Sequence, residues 1–164
     1  MTDSLPGVAA SLSRLGGLRR WAAAFLCGLA FALAQPPLGL WPVIFVAGPF
    51  LFWIWRGSQS RAAFHVGLAF GAGYFGFSLH WIVEPFLVRP EIDGWMAPPA
   101  LILISFGMGL FPAVGFWLAS MAVRYGATAV PSLALFWAGT EALRSTILTG
   151  FPWSLPAYGW VDNP

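Results

Sequence analysis

The chain has 164 residues, of which 59% are hydrophobic and 9% charged, with a mean hydropathy of +0.75. Soluble globular domains carry about 25% charged residues, so this balance excludes an ordinary water-soluble domain and predicts a helical membrane protein. The net charge of +2 is small and scattered, which argues against nucleic acid as a partner, and the one cysteine, Cys27, rules out an internal disulfide and any cysteine-based metal cluster.

Residues 1–17 read as a cytoplasmic N-terminal segment, residues 18–148 as a transmembrane helix bundle, and residues 149–164 as the start of an outer, periplasmic loop. No charge occurs between Arg20 and Arg56, but the run is broken by Gln35-Pro36-Pro37-Leu38-Gly39-Leu40-Trp41-Pro42, too proline-rich to stay helical. Two spans are predicted there, roughly Leu18 to Ala34 and Leu38 to Trp55. Both are shorter than the ~20 residues a crossing helix needs, so a re-entrant hairpin is the alternative. A third span is predicted from Ala62 to Val83, a fourth from Pro98 to Val123 and a fifth from Ala127 to Leu148. The expected fold class is therefore all-α, a polytopic bundle of about five spans. The leading arginines, the apolar run and Ala32-Leu33-Ala34 imitate a signal peptide cleaved after Ala34. The proline-rich turn accounts for the same residues without cleavage, and sidedness is the same either way.

All eight basic residues are arginine. Arg14, Arg19, Arg20, Arg56, Arg61 and Arg124 fall on one side of the predicted spans, and Arg89 and Arg144 on or near the other. The arginine-rich side is the cytoplasmic one. The outer loop between spans three and four holds Glu84, Arg89, Glu91 and Asp93. Trp21, Trp41, Trp55, Trp81, Trp95 and Trp153 fall near span ends, as an interfacial aromatic belt requires.

Span three carries Gly67 with Gly71, Ala69 with Gly73 and Ala72 with Gly76, small residues four apart that let helix backbones approach closely. Packing within the chain is the expected use, and homodimerisation the alternative. His80-Trp81 closes this span at the outer surface. The imidazole could carry a proton or touch a substrate, but a polar anchor beside an interfacial Trp is the expected role. His65 near the inner end is also read as structural, and two histidines so far apart make no metal site. Cys27 lies mid-span, where a catalytic thiolate is not supported, and is read as structural. Glu141 and Arg144 sit three residues apart on one face of span five. They are expected to neutralise each other and anchor the helix. The sharper alternative has Arg144 hold a lipid phosphate while Glu141 orients it.

Thr140-Glu141-x-Leu143-Arg144, followed by Leu148-Thr149-Gly150-Phe151-Pro152-Trp153 and then Tyr158-Gly159, resembles the fifth membrane segment and following outer loop of apolipoprotein N-acyltransferase. Weaker likenesses lie in Tyr74-Phe75-Gly76 through His80-Trp81, and in Leu29-Ala30-Phe31 through Pro37 and Trp41-Pro42. The resemblance implies a multi-pass protein of the bacterial inner membrane that completes lipoprotein maturation. It implies a helix bundle carrying a nitrilase-like domain on its periplasmic side. It further implies ping-pong acyl transfer by a Glu–Lys–Cys triad, from a phospholipid acyl donor, chiefly phosphatidylethanolamine, to the N-terminal diacylglyceryl-cysteine of an apolipoprotein substrate. No cofactor is implied.

The 164 residues depart from that pattern, for they contain no lysine and their one cysteine lies inside span one. No catalytic residue can be assigned, so the chain is expected to be the leading part of a longer enzyme or a truncated product, inactive by itself. What remains for it is positioning of lipid chains. His80, Trp81, Glu141, Arg144, Phe151, Pro152 and Trp153, with the loop on to Trp160, are predicted to form part of the lipid or substrate entrance. The competing readings are a transporter or channel fragment, for which Pro36-Pro37, Pro49 and Pro112 supply helix breaks, and a non-enzymatic membrane scaffold associating through the glycine face.

Overall fold

The structure, a computed structural model, describes residues 7–147 and 153–160. Every regular element among the described residues is helical. The helices are α1 (Gly7–Ser13), α2 (Gly17–Ala32), α3 (Val43–Arg56), α4 (Ser60–Ser78), α5 (Pro90–Asp93), α6 (Ala97–Arg124) and α7 (Ala129–Thr146), with short 3-10 turns at His80–Leu87, Gly94–Met96 and Pro156–Trp160. Helix α4 is the centre: α2 packs on one side of it and α6 on the other, α3 leans on α2, and α7 on α6.

The apolar stretches predicted as spans are the helices α2, α3, α4, α6 and α7, with differences at their ends. Span three does not run straight to Val83. Helix α4 stops at Ser78, and a 49° bend leads into the 3-10 turn His80–Leu87, where Pro85 cannot donate to a helix ladder. The segment ahead of α2 contains α1, which packs on α3. A side-chain carbon at Gly57 would run into the backbone of Ser13. By length and apolarity alone, Pro90–Arg124 is long enough to cross a membrane, and Ser60–Ser78 with His80–Leu87 makes a second crossing if the bent pair is one broken span. At 16 and 14 residues, α2 and α3 rise only ~24 and ~21 Å, short of the ~30 Å hydrocarbon core. In α7 the two charges, Gly139 and four hydroxyl residues dilute the hydropathy.

The glycines of α4 decide how close the helices come. A Cβ at Gly67 would stand 2.5 Å from the carbonyl oxygen of Pro112 and 2.6 Å from Ala113 Cα, and one at Gly71 would stand 2.5 Å from Gly109 Cα. On the opposite face, Gly73 and Gly28 bring α4 and α2 together backbone against backbone. Pro112 lacks an N–H and crowds the carbonyl a turn before it, and the bare glycine face receives that irregular part of α6. The glycine face is thus used within the chain, as expected.

Four helices each send one aromatic to a common hub. Phe31 (α2), Phe70 (α4), Phe116 (α6) and Trp137 (α7) meet with ring centroids 5.2–5.8 Å apart, mostly edge to face. Trp55, predicted in the interfacial belt, is instead buried at 2% exposure, and its indole N–H donates to the carbonyl of Phe116 at 3.0 Å. Its position at the end of α3 turns it toward α6 rather than outward. Carbonyl 116 lies one turn beyond Pro112, where no proline nitrogen interferes, so the bond ties α3 to α6. Trp55→Phe should keep the packing but lose this bond, lowering stability by about 1 kcal/mol, with ~2 as the upper bound. Thermal unfolding in detergent measures it, and an unchanged midpoint would sink the assignment. By contrast Trp21, Trp81, Trp95 and Trp153 are exposed near helix ends.

Candidate functional site

The bundle has two chemically different ends. At one, Arg56, Ser58, Gln59, Ser60, Ser120 and Arg124 line a polar pocket. At the other, the α2–α3 turn, the end of α4, the end of α7 and the segment 153–160 converge, and most of the predicted site residues lie there.

Helix α7 is amphipathic in an unusual sense: its buried face carries Ser132, Leu133, Thr140, Glu141 and Arg144. Arg144 is 1% exposed. Its Nη2 donates to Glu141 Oε2 at 2.6 Å, its Nη1 donates to the carbonyl of Trp153 at 2.9 Å, and its guanidinium lies over the Phe75 ring at 5.0 Å. A buried charge is tolerated when paired and hydrogen-bonded on several sides. Arg144 meets that condition as an internal strut, which favours the anchoring role over phosphate capture.

The strut does not act alone. The Tyr74 hydroxyl donates to the carbonyl of Ser154 at 2.8 Å, and Gln35 Nε2 donates to the carbonyl of Leu155 at 3.3 Å. The Trp153 ring packs on Trp81 with centroids 5.0 Å apart. Trp81, Glu141, Arg144 and Trp153 are therefore brought together, whereas Phe151 and Pro152 lie outside the described residues. His80 is exposed. Its Nδ1 is 2.8 Å from the carbonyl of Phe77, so that nitrogen carries the proton, and its ring leans on Phe77. His65 is at the far end, stacked on Trp21, and Cys27 is buried in the core. Among the described residues no three His, Cys, Asp or Glu side chains gather where an ion could sit.

Beside this cluster opens an apolar groove of about 580 Å³, within the ~300–1,000 Å³ typical of ligand cavities. One wall is the small-residue side of α7, Ala134, Ala138 and Ala142; another is Phe31 with Ile44; the outer wall is Leu155, Pro156 and Ala157. Glu141 and Ser145 are its polar lining groups, and the Glu141 charge is already neutralised by Arg144. The groove has the size and the apolar lining to hold hydrocarbon. Gln35, Tyr74 and Trp137 were not singled out from the sequence. The available signal was a polar side chain inside otherwise apolar runs.

Residues 27–164 match the family model described as the apolipoprotein N-acyltransferase N-terminal domain. Curated relatives agree. The apolipoprotein N-acyltransferase of Rhodopseudomonas palustris is 35% identical over 164 residues, covering 96% of this chain and 31% of the relative. That of Brucella suis is 35% identical over 160 residues, covering 92% and 30%. That of Caulobacter vibrioides is 36% identical over 142 residues, covering 85% and 27%. The chain spans under a third of the length of these relatives, at their N-terminal part. The buried Glu141–Arg144 pair, the tryptophans beside it and the match from Cys27 to Pro164 lead to one assignment: the chain belongs to the apolipoprotein N-acyltransferase family, through that family's N-terminal domain.

Proposed function

We propose that this chain is the membrane portion of an acyltransferase that moves an acyl chain from a phospholipid to the N-terminal diacylglyceryl-cysteine of apolipoproteins. In this reading residues 18–148 form a multi-pass bundle of five spans in the bacterial inner membrane, residues 1–17 are cytoplasmic, and residues 149–164 begin a periplasmic loop. The alternation of helix ends supports it. The polar pocket with Arg56 and Arg124 lies at the end that arginine counting assigns to the cytoplasm, and the tryptophan-rich cluster at the other.

The chemistry of the family requires acyl chains, already in the bilayer, to be held where a catalytic group above the membrane can reach their polar ends. The observation that carries the proposal is the apolar groove, whose lining residue Glu141 is tied through Arg144 to the carbonyl of Trp153, at the predicted outer end. Trp81 and Trp153 form the rim of the lipid entrance, with His80 on its exposed flank and Glu141 and Arg144 as the support beneath; Phe151 and Pro152, read into the same entrance from the sequence, lie outside the described residues. The test uses a family-length protein carrying this chain. Trp153→Ala and Trp81→Ala should each raise the KM for phosphatidylethanolamine about 3- to 10-fold, the size of a lost aromatic contact of ~0.5–1.5 kcal/mol, at normal expression. Unchanged kinetics in both would remove the entrance from this end.

A further inference from the structure

Trp153, Ser154 and Leu155 present three successive main-chain carbonyls, and each accepts a hydrogen bond from a side chain rooted in a different part of the bundle: Arg144 in α7, Tyr74 in α4 and Gln35 after α2. The donors are themselves buried, at 1%, 2% and 6% exposure. A buried polar group without a partner is costly, so these side chains are compatible with the core only while the segment is seated on them. The segment is held in an unfavourable shape. Ser154 has φ +53°, a left-handed conformation that non-glycine residues seldom adopt. Such strain persists where the surroundings over-determine it and tends to sit at ligand clamps. Here the three bonds and the Trp81–Trp153 contact do the over-determining. Directly after the strained residue come Leu155, Pro156 and Ala157, the outer wall of the groove.

We infer that Gln35, Tyr74 and Arg144 form a clasp that fixes this turn and so positions Leu155 to Ala157 as the outer wall of a site for one hydrocarbon chain of a lipid. The assignment of a lipid chain rests on the entrance reading above; the clasp itself does not. The groove's lining is almost wholly apolar, its polar groups being Glu141, paired with Arg144, and Ser145, whose hydroxyl donates to the carbonyl of Ala142 at 2.7 Å, and its outer wall is a main-chain segment whose place depends on donors from α4, α7 and the turn after α2. Gln35 and Tyr74 are positioning residues: they touch the wall, not the ligand.

Two measurements separate the parts of the inference. In the 164-residue chain in lipid nanodiscs, Cys27→Ala removes the native thiol and Leu155→Cys places a reporter in the wall. A membrane-impermeant maleimide should label it slowly. Tyr74→Phe, which removes one hydroxyl and keeps the ring, should speed labelling roughly 3- to 10-fold, the equivalent of one hydrogen bond. Gln35→Ala should do the same and the double variant more. Rates equal to the parent in all three overturn the clasp. In a family-length protein carrying the chain, Tyr74→Phe should raise the KM for the phospholipid donor with kcat unchanged, because the groove would hold the chain equally in ground and transition states. Faster labelling with unaltered KM keeps the clasp and overturns the lipid-chain assignment, and with it the entrance at this end.

Discussion

Arg144→Ala should destabilise the bundle by about 3–5 kcal/mol, the cost of leaving a buried carboxylate without its cation. The side chain is 1% exposed and engages Glu141, the Trp153 carbonyl and the Phe75 ring at once. Glu141→Gln should be damaging for the mirror-image reason, since it leaves the guanidinium buried opposite a neutral amide. Arg144→Lys should fall between parent and alanine. It keeps a charge but loses the planar fork that reaches Oε2 of Glu141 and the Trp153 carbonyl from two different nitrogens. The decisive variant is the double one, Glu141→Leu with Arg144→Met. It removes both charges and fills the space with hydrocarbon, and buried pairs replaced in this way are often neutral or stabilising. The double variant should therefore unfold at a higher temperature than either single. If the single effects simply add, the two residues are not acting as a pair. The double variant would also lack one donor to the 153–155 turn, so it should label faster at Leu155→Cys even where its stability is restored.

The helices themselves were readable because apolar runs between arginines and prolines leave little choice in a chain so poor in charge. Gly67 and Gly71 announced a close helix contact, and the i, i+3 spacing of Glu141 and Arg144 announced an ion pair; both are local patterns. Trp55 was misplaced because its position at a helix end was legible while the direction of its ring was not: that depends on α6, 61 residues away. The clasp was hidden for the same reason. Gln35 meets residue 155 and Tyr74 meets residue 154 across 120 and 80 residues, and no periodicity links positions so distant. The bend after Ser78 was missed because the hydropathy continues through His80-Trp81-Ile82-Val83 while the helical ladder does not. Hydropathy records what a segment dissolves in, and a change from α to 3-10 geometry leaves that unaltered.

Gly67→Ala should separate α4 from α6 and cost about 3 kcal/mol, at the upper end of ordinary overpacking. Overpacking is usually relieved by a side chain that swings aside. At Gly67 the three atoms nearest to an added Cβ are all backbone: the carbonyl oxygen and carbon of Pro112 and the Cα of Ala113, at 2.5, 2.8 and 2.6 Å. Relief therefore requires moving a helix axis, and in a bilayer no hydrophobic drive pushes the helices together again. The contrast within the same protein is what tests the argument. A Cβ at Gly109, on the other side of the contact, would stand 3.2 Å from its nearest atoms, so Gly109→Ala should cost less. Gly139 lies on the exposed side of α7, and a Cβ there would meet nothing within 4 Å. Gly139→Ala should be neutral or stabilise by up to ~1 kcal/mol, since alanine is the better helix former. Unfolding midpoints in detergent should thus rank Gly139→Ala above Gly109→Ala above Gly67→Ala. If Gly67→Ala were as stable as the parent, α4 and α6 would not approach as closely as the structure has them, and the backbone contact at Pro112 would have to be abandoned.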